Sequence, residues 1–352
     1  MYYLNPNVRD LYRLFDQNER TNYIRLDLNE NPAGLPEEFV RRVLESVTPQ
    51  QIAQYPETEH FTKMLASYLG TDPSRICLTN GSAEAIRYVI EAFTSPGGEI
   101  VGVVPSYFMF QIYAEMYGRS FVPVPYHQDL SMDIQDIIDR ISETTQLLVL
   151  LNPNNPMGNV YSDEEFMRLI DVAENQKVTV LIDEAYHYFY PKTFIDYALT
   201  HDHVFVTRTF SKLFSMAGCR LGYVVGWPEG VNMVQKLCTP HNTNFFAMLF
   251  AEEIIKTPGM IDSLISDFEQ GRHYLISQLD ELNYEHIGVA GNFIFIKPHT
   301  SAETLVSKMK EEKKILIKSY PNVGMLGTCL RVSIGNKAIM RQFIKALIDL
   351  DC

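Results

Sequence analysis

Short apolar runs alternate with amphipathic segments from about residue 75 to residue 225. The runs Arg75–Thr79, Ile100–Val104, Ser120–Val124, Leu147–Leu151, Val178–Ile182, Val204–Thr207 and Tyr223–Gly226 are rich in Val, Ile and Leu. Continuous apolar runs of this length predict strands buried on both faces. Between them, Ser82–Phe93, Phe108–Tyr117 and Asp163–Asn175 carry the spacing of amphipathic helices. Strands alternating with helices predict an α/β fold around a mostly parallel sheet.

Beyond about residue 259 the pattern changes. A helical stretch at Gly259–Leu282 leads to a strand at Asn292–Lys297 and a helix at Ala302–Glu311. Strands at Ile315–Lys318 and Cys329–Ile334 and a helix at Lys337–Leu350 complete a second unit of α+β type. The N-terminal segment, rich in Asn, Pro and charge, is expected to pack against it. The expected division is a large domain over 45–240 and a small one from 1–44 and 241–352.

A chain of 352 residues can bury a large core and suggests about two domains. Its net charge of −13, from 30 basic and 43 acidic residues, argues against nucleic acid and against an anionic membrane surface. A few local Arg and Lys could still hold a small anion. Cys77, Cys219, Cys238, Cys329 and Cys352 are scattered, with no Cys-x-x-Cys pair, as expected of reduced thiols in a cytoplasmic protein. The N-terminus lacks the apolar core of a signal peptide, and no apolar run approaches the ~18–20 residues that span a bilayer.

Four segments at the ends of the expected strands carry candidate chemistry. Asn80-Gly81-Ser82 joins a strand to a helix, where backbone N–H groups and the helix dipole favour an anion. A capped helix start explains the same residues, and no Walker-type Gly-Lys-Ser/Thr marks a nucleoside triphosphate site. Leu151-Asn-Pro-Asn-Asn-Pro-Met-Gly-Asn159 reads as a turn. It also reads as a rigid loop at the carboxyl end of a strand, where open α/β sheets bind ligands, and there Asn155 could donate to a phenolate.

Asp183 ends an apolar run, where an unpaired carboxylate would be costly. It could cap the next helix, or pair with a protonated pyridine nitrogen that Tyr186 could also approach. Thr209-Phe-Ser-Lys212 offers a lysine able to condense with an aldehyde, hydroxyls either side of Phe210, and Arg220 a short loop away. A cofactor with an aldehyde at one end and a phosphate at the other uses that set, and pyridoxal 5'-phosphate is such a cofactor.

Together these residues resemble the fold-type-I class I/II aminotransferases, closest to the histidinol-phosphate aminotransferase branch. The resemblance runs from Leu26-Asp-Leu-Asn-Glu-Asn-Pro32 to Leu330-Arg-Val-Ser-Ile-Gly335. Thr209-Phe-Ser-Lys212 with Gly218, Arg220 and Leu221-Gly-Tyr223 is its most specific part. Asn154-Asn-Pro-Met-Gly158 departs from the usual motif at Met157, and Lys318 stands where the branch usually carries a phosphate-gripping arginine.

The resemblance implies a large domain with a mostly parallel seven-stranded sheet flanked by helices, plus a smaller α+β domain. It implies that Ser82, Ala83, Thr209, Ser211 and Arg220 hold the cofactor phosphate and that Tyr107 stacks on its ring. Asn155 and Tyr186 would bind the phenolic oxygen, Asp183 the ring nitrogen, and Lys212 the aldehyde carbon before acting as base. Tyr55 would reach the cofactor of a second subunit, giving a homodimer with shared sites. Arg331, Lys318, Asn292 and Asn29 would contact substrates. The expected activity is amino transfer, with L-glutamate as donor and a small, phosphorylated ketone or aldehyde as acceptor.

The nearest alternative is a decarboxylase of a phosphorylated amino acid, sharing fold and cofactor. A non-catalytic binding protein on the same fold would not need every cofactor contact. A metal hydrolase built on His201-Asp202-His203 is disfavoured because alternating residues in a polar turn point apart.

Overall fold

The computed structural model describes residues 2–9, 11, 20–288 and 290–351. Cys352 and positions 10 and 12–19 of the N-terminal segment, for which the sequence raised expectations, lie outside the described residues.

All seven expected central strands join one sheet. They are β1 (Ile76–Thr79), β2 (Glu99–Val104), β3 (Ser120–Pro125), β4 (Thr145–Leu151), β5 (Thr179–Asp183), β6 (Val204–Thr209) and β7 (Gly222–Val225). Their order is β1-β7-β6-β5-β4-β2-β3, with β7 antiparallel to both neighbours and the other pairs parallel. Leu147–Leu151 and Val180–Ile182 are at most 3% exposed, which explains why these strands show no polar alternation. Each such side chain contributes about 1.5–3 kcal/mol by leaving water.

Helix Asp163–Asn175 starts with a capping box between Ser162 and Glu165, and its Phe166, Leu169, Ile170 and Ala173 face the core. Helix Ser82–Phe93 buries Ala85, Ile86, Val89 and Ile90 in the same way.

A second, antiparallel sheet has four strands: β8 (His286–Gly288), β9 (Phe293–Ile296), β10 (Lys318–Tyr320) and β11 (Cys329–Ser333), in the order β10-β11-β9-β8. Helices Met260–Glu281 and Lys337–Asp351 pack against each other beside it.

The expected strand Ile315–Lys318 is two strands. Ile315–Leu316 pairs in parallel with Ile24–Arg25, whereas Lys318–Tyr320 pairs with β11. Ile315 and Ile317 are both buried, so the apolar alternation runs straight through the change of partner and hides it. The N-terminal segment continues into the same unit, with Ser333 N donating to Leu26 O at 2.8 Å. Cys77 and Cys238, remote in sequence, bring their sulfurs to 3.6 Å as free thiols.

Candidate active site

A cavity of about 420 Å³ lies where the carboxyl ends of β4, β5 and β6 face β10 and β11. The sheet register sets its floor: Asp183 sits opposite Leu151 on one side and Thr207 on the other, and Gly222 sits between Thr79 and Thr209. The four loops singled out in the sequence therefore emerge at one edge.

Gly81 and Gly222 make the anion cradle possible. A Cβ on Gly222 would stand 2.5 Å from Ser82 N, and one on Gly81 would stand 2.4 Å from Arg220 Nη2. Gly81 also has φ +84°, a conformation that disfavours a side chain. Without Cβ atoms here, the first turn of helix Ser82–Phe93 can close down on Arg220. Arg220 Nη1 donates to Ser211 Oγ at 3.2 Å, and Thr209 Oγ1 donates to the same oxygen at 2.8 Å. Ser82, Ala83, Thr209, Ser211 and Arg220 all line the cavity, gathering hydroxyls, a guanidinium and a helix start.

Asp183 is buried and accepts from Thr207 Oγ1 at 3.1 Å. Burial pushes its carboxyl up to about 7, against the Thr207 and Ala185 hydrogen bonds and the nearby Lys212. Lys212 Nζ donates to Leu28 O at 3.0 Å and lies 5.7 Å from the Tyr186 ring centroid. Burial, then the Arg331 guanidinium, lower it to about 8, while Glu30 and Asp183 oppose that shift. Tyr186 Oη accepts from Asn155 Nδ2 at 3.1 Å and from Asn29 Nδ2 at 3.0 Å. Its phenol is pushed up to about 12, chiefly by burial.

Tyr107 lines the cavity with its ring edge-on to Phe110, and burial raises its phenol. On the opposite wall Arg331 donates to Asn155 Oδ1 and to Asp27 O, both at 2.7 Å, over the ring of Tyr320. Lys318 is the cross-strand partner of Arg331, and both line the cavity. Asn292 lies behind, donating to Asn29 O at 3.0 Å.

Two expected residues do not line this cavity: Asn292 lines a neighbouring space with Asn31 and Phe268, and Tyr55 is on the surface. Tyr55 is 78% exposed and stacks on His241. His201 and His203 are used structurally, on Tyr197 O and Ile170 O. No group of three His, Cys, Asp or Glu among the described residues could hold a metal ion.

Sequence reasoning passed over Glu30 and Tyr320, which also line the cavity. Tyr320 follows Lys318 at the two-residue spacing that puts side chains on one strand face, a signal available in principle. Glu30 lies inside Leu26–Pro32, where the resemblance begins, but no chemical role attached to it there.

The residues present fit pyridoxal phosphate. The cradle closed by Gly81 and Gly222 suits a phosphate, and the uncomfortable buried Asp183 suits a cationic ring nitrogen. Arg331 Nε is buried without a hydrogen-bond partner on the cavity wall, which leaves capacity for a polar guest. A mostly parallel sheet with this site at its carboxyl edge defines a fold-type-I, pyridoxal-phosphate-dependent transaminase. The chain belongs to the aminotransferase class I and II family, whose pattern it matches over residues 21–347.

It is 30% identical over 354 residues to histidinol-phosphate aminotransferase 2 of Nitrosococcus oceani, across 98% of this chain and 96% of that protein. Identity is 29% to the histidinol-phosphate aminotransferase of Caldanaerobacter subterraneus, across 93% of this chain and 92% of that one. The crystal structure of histidinol-phosphate aminotransferase from Sinorhizobium meliloti, in complex with pyridoxal-5'-phosphate, has the same fold. The TM-score is 0.88 at 21% identity, across 99% of this chain and 98% of that one.

Proposed function

We propose that this enzyme moves an amino group from L-glutamate to a small, phosphorylated ketone or aldehyde. The observation that carries the proposal is the pairing of Lys318 with Arg331, side by side on β10 and β11 and both facing the cavity. Donor and acceptor occupy a transaminase site in turn, so one pair of cations must serve a carboxylate in one half-reaction and a phosphate in the other. Arg331 has the planar fork that matches a carboxylate, and Lys318 adds a compact point charge suited to phosphate. Relatives that act on histidinol phosphate support the same reading.

Bound here, the cofactor supplies an aldehyde that takes up the substrate amine and a ring that draws electrons from its α-carbon. Ser82, Ala83, Thr209, Ser211 and Arg220 would hold its phosphate, Asn155 and Tyr186 its phenolic oxygen, and Tyr107 would flank the ring. Asp183 would face the ring nitrogen, regaining its charge from a cationic partner. Lys212, already lowered to about 8, can shed its proton near neutral pH and act as the base at the α-carbon. Asn155 links Tyr186 to Arg331 and so ties the cofactor side of the cavity to the substrate side.

The test starts with L-glutamate alone added to the holoenzyme. Loss of the visible cofactor band with one equivalent of 2-oxoglutarate is expected, followed by its return with a phosphorylated carbonyl compound. Release of CO2 from a phosphorylated amino acid, with no 2-oxoglutarate formed from L-glutamate, would instead identify a decarboxylase. Lys318→Ala should raise KM for the phosphorylated acceptor by roughly 10–100-fold with kcat little changed. An unchanged KM would remove Lys318 from the site.

We further propose a homodimer in which Tyr55, exposed and outside its own chain's cavity, completes the site of a second copy. Sedimentation should show a dimer at micromolar concentration. A fully active monomer would sink this assignment.

A further inference from the structure

Two carboxylates line the cavity, and only one of them has a place in the chemistry above. Asp183 stands at the end of β5, and Glu30 comes from the segment after Ile24–Arg25. Glu30 also lines an adjoining cleft of about 420 Å³, with Arg25, Ser211, Ser215 and Ala217. Glu30 therefore lines both spaces.

Both oxygens are held loosely by cations. Oε1 lies 3.3 Å from Arg25 Nη1 and Oε2 lies 3.4 Å from Arg20 Nη2, whereas the same Arg20 nitrogen sits 2.5 Å from Asp27 Oδ1. The three preceding residues are each committed to a site group: Asp27 O to Arg331, Leu28 O to Lys212 Nζ, and the Asn29 side chain to Tyr186. Glu30 thus belongs to a segment that contacts the base, the substrate cation and the ring tyrosine together.

The charged groups facing Lys212 come from four elements. Arg331 on β11 and Arg220 before β7 repel its ammonium, while Asp183 on β5 and Glu30 attract it. A cationic ring nitrogen beside Asp183 would offset that attraction and the cofactor phosphate would engage Arg220, leaving Glu30 as the carboxylate that stands with Lys212 against Arg331. We propose that Glu30 is a positioning residue of the amino-transfer reaction. It supplies the counter-charge that offsets the surrounding cations and so sets how readily the Lys212 nitrogen takes up and sheds its proton while Asp183 is engaged by the cofactor ring. This inference rests on the cofactor and not on the acceptor, so failure of every phosphorylated acceptor would leave its test intact.

The experiment is a pH titration of the visible cofactor band of the holoenzyme, which reports the proton on Lys212 Nζ without turnover. Glu30→Gln should lower the midpoint by roughly half to one pH unit, because loss of a negative charge favours the neutral nitrogen. The limb of the kcat profile that reports this group should move the same way. Glu30→Asp, which keeps the charge, should stay close to the wild-type midpoint. Arg25→Gln, which strips a cation from Glu30, should move the midpoint upward and is available if Glu30→Gln does not fold. A folded Glu30→Gln holoenzyme with an unmoved midpoint would overturn the proposal. So would equal loss of activity in the Gln and Asp variants with both midpoints unmoved, which would mark Glu30 as structural only. An Arg25→Gln midpoint that stays put would count against it as well.

Discussion

Lys212→Ala should lower kcat by about 10⁴-fold or more and abolish the visible band of the reconstituted enzyme. The folded protein should not suffer. The amine is buried, and its folded value of about 8 lies below its ordinary value of 10.5. Below about pH 8 the native state therefore carries a desolvated charge beside Arg331, a cost that fades as pH rises towards 10.5. Lys212→Met, which keeps the volume of the stem, should melt no lower than wild-type apo-protein at pH 7, by calorimetry. Retention of full activity by either variant would remove Lys212 from the chemistry. A large drop in melting temperature for the Met variant would show that the ammonium stabilises the apo-protein, contrary to its burial.

Asp183→Asn should lower kcat by roughly 10²–10⁴-fold, because an amide cannot hold a proton on the ring nitrogen. It should also stabilise the apo-protein above neutral pH. The carboxyl is raised to about 7 in the fold from an ordinary 3.8, so the native state binds more protons than the unfolded chain between those values. Stability falls as pH rises through that window, by an amount on the order of 2–4 kcal/mol once both states are ionised. Asparagine avoids that loss and can still accept from Thr207 Oγ1. Calorimetry of both apo-proteins at pH 5 and pH 8 should show a clearly wider gap at the higher value. A variant no more stable at pH 8 would mean that water or a cation already relieves Asp183. Gain of stability with loss of turnover is the expected mark of a group held in strain for the cofactor.

Most of the site was legible because each part is short and local. Asn80-Gly81-Ser82, the Asn152–Gly158 loop, Asp183 and Thr209–Lys212 each combine a strand end, a turn and a chemically distinctive residue within a few positions. Continuous burial of Leu147–Leu151 and Val180–Ile182 likewise wrote the central strands plainly into the chain. The strand at Ile315–Lys318 was misread for the opposite reason. Its alternation is uninterrupted while its hydrogen-bond partner changes from Ile24–Arg25 to β11.

Glu30 shows the same limit in the site. Its neighbours Asp27, Leu28 and Asn29 reach Arg331, Lys212 and Tyr186 largely through backbone carbonyls, and every residue type carries those. The approach of Cys77 to Cys238 had no sequence signal either.

By itself, then, the sequence determined the α/β core, the chemistry of each loop and the cofactor that chemistry can hold, since burial, turn geometry and side-chain reactivity are properties of short segments. The tertiary structure alone decided that Lys318 faces the cavity beside Arg331, that Tyr55 faces away from it, and that Glu30 stands on its wall. Those placements depend on strand register and on contacts between residues hundreds of positions apart, which no local pattern encodes.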